Sequence, residues 1–167
     1  MMPNYERWIA IITFTMVTLR ADAASLEKNA LVFSGMCDAS AAVALSGDLF
    51  AAVNDEDNVL RFYRTSLPGP PVQTIDLKAL LAGKRKKAPE ADFEGAARIG
   101  NRVFLITSHG RSASGKPAPL RHRFLALELT ERVGRVSVAA VGQPYTNLLA
   151  DLVRDPRFAK FGFVAGS

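Results

Sequence analysis

The 167 residues give room for one domain with a sizeable core, and 22% charged with 49% hydrophobic residues is a globular composition, neither disordered nor fibrous. The net charge of +5 is modest, and the only basic run, Lys84 to Lys87, has no aromatics or recognised motif beside it, so it reads as a solvated loop and no nucleic-acid partner is expected. The sole cysteine, Cys37, rules out an internal disulfide; it is expected to be buried and inert, leaving the core alone to hold the chain together.

Residues 1–23 read as a secretory signal peptide. Arg7 lies in a polar start, Trp8 to Leu19 is apolar, and Ala21-Asp22-Ala23 is the small-x-small pattern that places cleavage after Ala23. The apolar segment is shorter than the ~20 residues of a comfortable span. The mature chain is therefore expected in the periplasm or outside the cell with no membrane contact; an uncleaved anchor is the alternative.

A lead-in at Ser25–Ser34 contains a strand-like Ala30-Leu31-Val32-Phe33. Strands are then predicted at Ala41–Leu45, Leu49–Val53, Val59–Arg64 and Val72–Leu77. They are separated by Ser46-Gly47-Asp48, by Asn54–Asn58 and by the Pro/Gly-rich Ser66–Pro71, where proline lacks a donor and glycine permits positive φ. After the basic loop at 78–91 the pattern recurs. Asp92 and Glu94 open it, Ile99-Gly100-Asn101-Arg102 is a tight turn, Val103–Ile106 is apolar, and strands follow a long loop at Arg123–Leu129 and Arg135–Val141. Leu148, Leu149, Leu152 and Val153 then recur at helical spacing, with Thr146 or Asn147 as N-cap and Pro156 ending the helix near Arg154. Phe158, Phe161 and Phe163 lie in the tail.

Sliding the chain by 54 positions lays Asp38 on Asp92, Ser40 on Glu94, Ala41 on Gly95, Leu45 on Ile99, Leu49 on Val103, Phe50 on Phe104 and Asn54 on Ser108. Two such units predict an all-β fold, a partial β-propeller-like array of two four-stranded antiparallel blades at about 38–77 and 92–141, with a short C-terminal helix and tail at 145–167. A sandwich fits the same alternation. A closed propeller takes about four to eight blades. Two blades are thus expected either to be a truncated product or to self-associate through exposed strand edges.

Phe33–Ser40, Asn54–Asn58, Asp92-Phe93-Glu94-Gly95-Ala96 and Ile106–Arg111 together resemble the N-terminal half of the bacterial domain of unknown function 3616 family. The resemblance spans about residues 30–140. It implies a propeller-like fold in an exported or cytosolic protein roughly twice this length, similar in outline to the esterase-like phytase propellers, where Asp-x-Glu-Gly segments also occur. The family has no established reaction, so the resemblance implies little chemistry.

Asp55, Asp57, Asp92 and Glu94, with Asp38 behind them, are candidate hard-oxygen ligands for Ca²⁺. Asp92 and Glu94 would share one face of a strand. The Asp55–Asn58 run lacks EF-hand spacing and also reads as a polar hairpin turn. Ser108 and His109 suggest a nucleophile and its base, but neighbours in a strand point to opposite faces and the Gly-x-Ser-x-Gly elbow is absent. His109 and Arg111, with Ser108, Arg121 and Arg123 as further ligand-binding residues, suit a phosphate, because guanidinium forks match its oxygens. Arg121-His122-Arg123 also reads as the wet edge of a strand. The first functional reading is an exported module that binds a small or phosphate-bearing ligand. The second is a calcium-assisted phosphoesterase in which Asp92 and Glu94 hold Ca²⁺ and His109 and Arg111 bind the phosphoryl group. A structural piece that completes a propeller by association is the third.

Overall fold

The structure, a computed structural model, describes residues 30–82 and 90–163; the expected signal segment 1–23 and the basic run Lys84–Lys87 lie outside the described residues. Strands β1 (Ala39–Ala44), β2 (Leu49–Asn54), β3 (Val59–Arg64) and β4 (Gln73–Asp76) form one antiparallel sheet in sequential order. A short helix α1 (Lys78–Ala82) follows. Strands β5 (Phe93–Ile99), β6 (Arg102–Thr107), β7 (Phe124–Arg132) and β8 (Arg135–Ala140) form the second sheet, again in order. Helix α2 (Leu148–Arg154) and a 3-10 turn at Pro156–Phe161 close the described chain. The two four-stranded blades and the short C-terminal helix are as the sequence predicts. Among the described residues no helix is long and apolar enough to cross a membrane.

Alternation builds the core. Leu49, Ala51 and Val53 of β2 and Leu60 and Phe62 of β3 turn to one side, where they meet Phe93, Val103, Leu105, Leu125 and Leu127 of the second sheet. Phe62 and Phe93 are fully buried; truncating either to alanine costs on the order of 3–5 kcal/mol. First strands neighbour each other, β1 beside β5, as in adjacent propeller blades. Polar clasps tie the sheets at their margins. Gln73 Nε2 donates to Val136 O at 2.6 Å and Gln73 Oε1 accepts from Val136 N at 2.9 Å. Arg64 bridges Asp48 and Glu131, each at 2.6 Å, and Ser46 Oγ donates to Glu131 at 2.8 Å.

Strand pairing corrects the repeat. Both first strands carry a bulge at the same place, between Ala39 and Ala41 and between Phe93 and Gly95, so the 54-residue offset holds there. Asp38 and Asp92, just before the bulges, both adopt positive φ, 45° and 62°. Beyond the hairpin the offset is 53, because Ala41 pairs with Val53 whereas Gly95 pairs with Ile106. The cause is turn length. Ser46-Gly47-Asp48 separates the Leu45–Leu49 backbone bond, whereas only Gly100-Asn101 separates Ile99 from Arg102. Gly100 at φ 62° supplies the left-handed residue that a two-residue hairpin needs. Phe50 therefore matches Val103 rather than Phe104, and Asn54 matches Thr107 rather than Ser108. Asn54 and Thr107 are both buried polar residues.

Four further expectations change. Ala30–Phe33 is not a strand: only Phe33 makes a bridge, to Gly69, and Leu31 and Val32 are exposed. Helix α1 stands where a loop was expected, anchored by buried Leu77 and Leu81. Cys37 is exposed, because the lead-in turns outward between Gly35 and Asp38, both at positive φ. Asn147 is the N-cap of α2 without a side-chain capping bond.

Candidate functional site

The sheet order places the entries of β1 and β5 at the same end as the β2–β3 and β6–β7 connections. Buried polar side chains shape that end. Asn54 donates through Nδ2 to Cys37 O at 3.4 Å and accepts from Asp57 N at 3.2 Å, fixing the β2–β3 turn. Asn58 Oδ1 accepts from Ala91 N at 2.8 Å, which fastens this turn to the entry of β5. Thr107, at the end of β6, occupies a core-facing position after Val103 and Leu105. Its Oγ1 donates to Arg121 O at 2.6 Å and accepts from Arg123 N at 2.9 Å. His109 N donates to the same Arg121 carbonyl at 2.6 Å. These bonds draw the Arg121-His122-Arg123 stretch against Thr107–His109.

His109 is the most constrained member. It adopts φ 54°, a left-handed conformation uncommon outside glycine. Its Nδ1 lies 2.9 Å from Thr107 O. A carbonyl can only accept, so this contact places a proton on Nδ1, and in the neutral ring Nε2 then carries the lone pair. Nε2 is buried and has no hydrogen-bond partner among the described residues. The His122 ring lies beside it, centroid to centroid 5.6 Å, tilted by 58°.

Arginines neighbour both histidines along the chain. Arg121 pairs with Asp92 at 2.9 Å and Glu90 at 2.6 Å and donates to Arg111 O at 3.2 Å. Arg111 donates to Gly115 O at 3.2 Å and Arg123 to His122 O at 3.3 Å. Arg121 thus has two carboxylates as partners, and Arg111 and Arg123 lie on the same stretch of loop. A cleft of about 390 Å³ opens alongside, lined by Glu90, Ser112, Pro117, Ala118, Leu120 and Arg121.

The predicted anion-binding residues Ser108, His109, Arg111, Arg121 and Arg123 thus belong to one cluster. Ser108 and His109 do not form a catalytic pair: Ser108 Oγ accepts from Gly110 N at 3.2 Å, and the His109 ring turns to Thr107. The four predicted calcium ligands are not brought together. Asp92 precedes β5 in a left-handed conformation and is held by Arg121, whereas Glu94 is the exposed bulge residue, so alternation does not place them on one face. The Asp57 carboxylate is forked by Arg61 at 2.6 and 3.0 Å, which holds its pKa below the usual carboxylate value. Asp55 stays in the β2–β3 turn with Oδ1 buried and unpartnered among the described residues. No group of three His, Cys, Asp or Glu residues able to hold a metal ion occurs among the described residues. Sequence reasoning missed Thr107, whose signal was a polar residue in phase with Val103 and Leu105, and Asn58 and Glu90, which had none.

Comparison with protein-family models, curated proteins and solved structures returned no match.

Proposed function

We propose that this chain is an exported, propeller-like binding module that takes a small phosphate-bearing ligand at the His109–Arg123 end of its sheets. The observation that supports this most is the cleft of about 390 Å³ lined by Arg121, at the end where Thr107 holds the Arg121-His122-Arg123 stretch against His109. A guanidinium fork matches phosphate oxygens, and an imidazole close by adds a hydrogen-bonding group for a phosphate or sugar hydroxyl. Export rests on the residue pattern of 1–23, and the propeller reading on the resemblance and the two stacked blades. Bound Ca²⁺ is not part of the proposal, since the acids that would hold it are engaged by Arg61 and Arg121 or stand apart.

Calorimetric titration with inorganic phosphate and phenyl phosphate tests the site. Binding in the micromolar to millimolar range is expected, weakened by salt and by about tenfold in Arg123→Gln and His109→Asn. Asparagine tolerates the left-handed backbone, so thermal unfolding should change little in the second variant. Absence of heat at ligand concentrations on the order of 10 mM, with the chain folded, would overturn the proposal.

A further inference from the structure

A blade in a stack has one face toward the preceding blade and one toward the next. In the first sheet, the face carrying Ala41, Val43, Ala51, Val53 and Phe62 packs on the second sheet. The corrected register maps these positions onto Gly95, Ala97, Phe104, Ile106 and Ala126. Among the described residues nothing covers that matching face of the second sheet. Phe104 and Phe124 stack on it with centroids 5.8 Å apart, Ile99 is 72% exposed, and a shallow apolar groove of about 400 Å³ runs between them. The far face of the first sheet is closed instead. Phe33 packs edge-on against Phe50 and Tyr63 at 4.9 and 5.5 Å, and Ser34 is tied to Gly69 O at 2.9 Å and to the Tyr63 hydroxyl at 3.1 Å.

We propose that the open face is a twofold interface with a second copy of this chain. Head-to-tail stacking needs the face that Phe33 occupies. Among the described residues the apolar sheet face left uncovered is the same on both copies, and an interface between like faces closes as a dimer. Charge supports the twofold. Arg102 and Glu128 sit opposite each other across β6 and β7 on this face, with Glu128 accepting from Asn101 Nδ2 at 2.6 Å, so a twofold axis lets each copy's Arg102 meet the other's Glu128. Arg132 and Arg135 pair at the outer end of the same sheet; their like charges confine the contact to the inner strands.

Sedimentation velocity on the full chain tests this, run over a wide concentration range with reductant so that the exposed Cys37 cannot link copies. A monomer–dimer equilibrium without higher species is expected. Ile99→Lys, at an exposed position, should weaken it at least tenfold without altering thermal unfolding. Arg102→Glu and Glu128→Arg should each weaken it, and the double exchange should restore it. A monomer throughout, a ladder of larger assemblies, or a dimer indifferent to Ile99→Lys would each overturn the proposal. The readout needs no ligand, so it stands or falls apart from phosphate binding.

Discussion

Val133 is the sharpest conflict between a residue and its backbone. It forms the β7–β8 hairpin turn with Gly134, both at positive φ (51° and 73°), and its side chain is fully exposed. A β-branched residue has no easy place there, and the turn favours Asn-Gly. Nothing packs against the side chain to offset the strain, which costs about 1–2 kcal/mol. Val133→Asn is therefore expected to stabilise the chain by about 1 kcal/mol, read as a melting temperature a few degrees higher in scanning calorimetry. His109 is strained in the same sense, but its ring is engaged by Thr107 O and sits in the candidate site. Strain kept where a function is proposed, against strain with no evident return, separates the two positions.

At the level of elements, Gln73 does what a paired strand would otherwise do. Its amide meets both the N–H and the C=O of Val136 on the edge strand β8. Gln73→Ala leaves two backbone groups to water at a nearly buried residue and is expected to cost about 1–2 kcal/mol, measured as a lower urea midpoint with an unchanged slope. Much of this level was legible in the sequence. Strands β2 and β3 follow from Leu49/Ala51/Val53 and Leu60/Phe62 alternation, and α2 from its leucines. The fixed 54-residue offset was misleading past Ser46-Gly47-Asp48, because apolar identity alone aligned Phe50 with Phe104 although they point to opposite sides. For the site, Arg121 and Arg123 could be picked by chemistry. Their approach to His109 depends on Thr107 clamping a loop that has no periodicity to read. The acids failed as a set because a bulge and two left-handed aspartates break the alternation on which their grouping relied.

For the molecule as a whole, acid stability follows from the clasps. Arg61 holds Asp57 below the usual carboxylate range; Ser66 and Arg64 do so for Asp48, and Ser46 and Arg64 for Glu131. A carboxylate depressed in the folded state contributes stability that is present above its unfolded pKa of about 4 and is lost as pH falls through the folded value. The melting temperature is thus expected to hold from neutrality to about pH 5 and to fall below about pH 4. In Asp57→Asn that fall should be shallower. A decline already complete at pH 6 would show that other groups govern acid unfolding.

The difference between the two hairpins has a consequence for descent. Dropping one residue from the turn after β1 moves every later residue by one place in the chain yet leaves each cross-strand partner on its own side. A residue lost within β6 would instead swing Val103, Leu105 and Thr107 outward. Lineages of such chains can therefore drift in length at residues 45–49 and 99–102, while the strands between keep a fixed count.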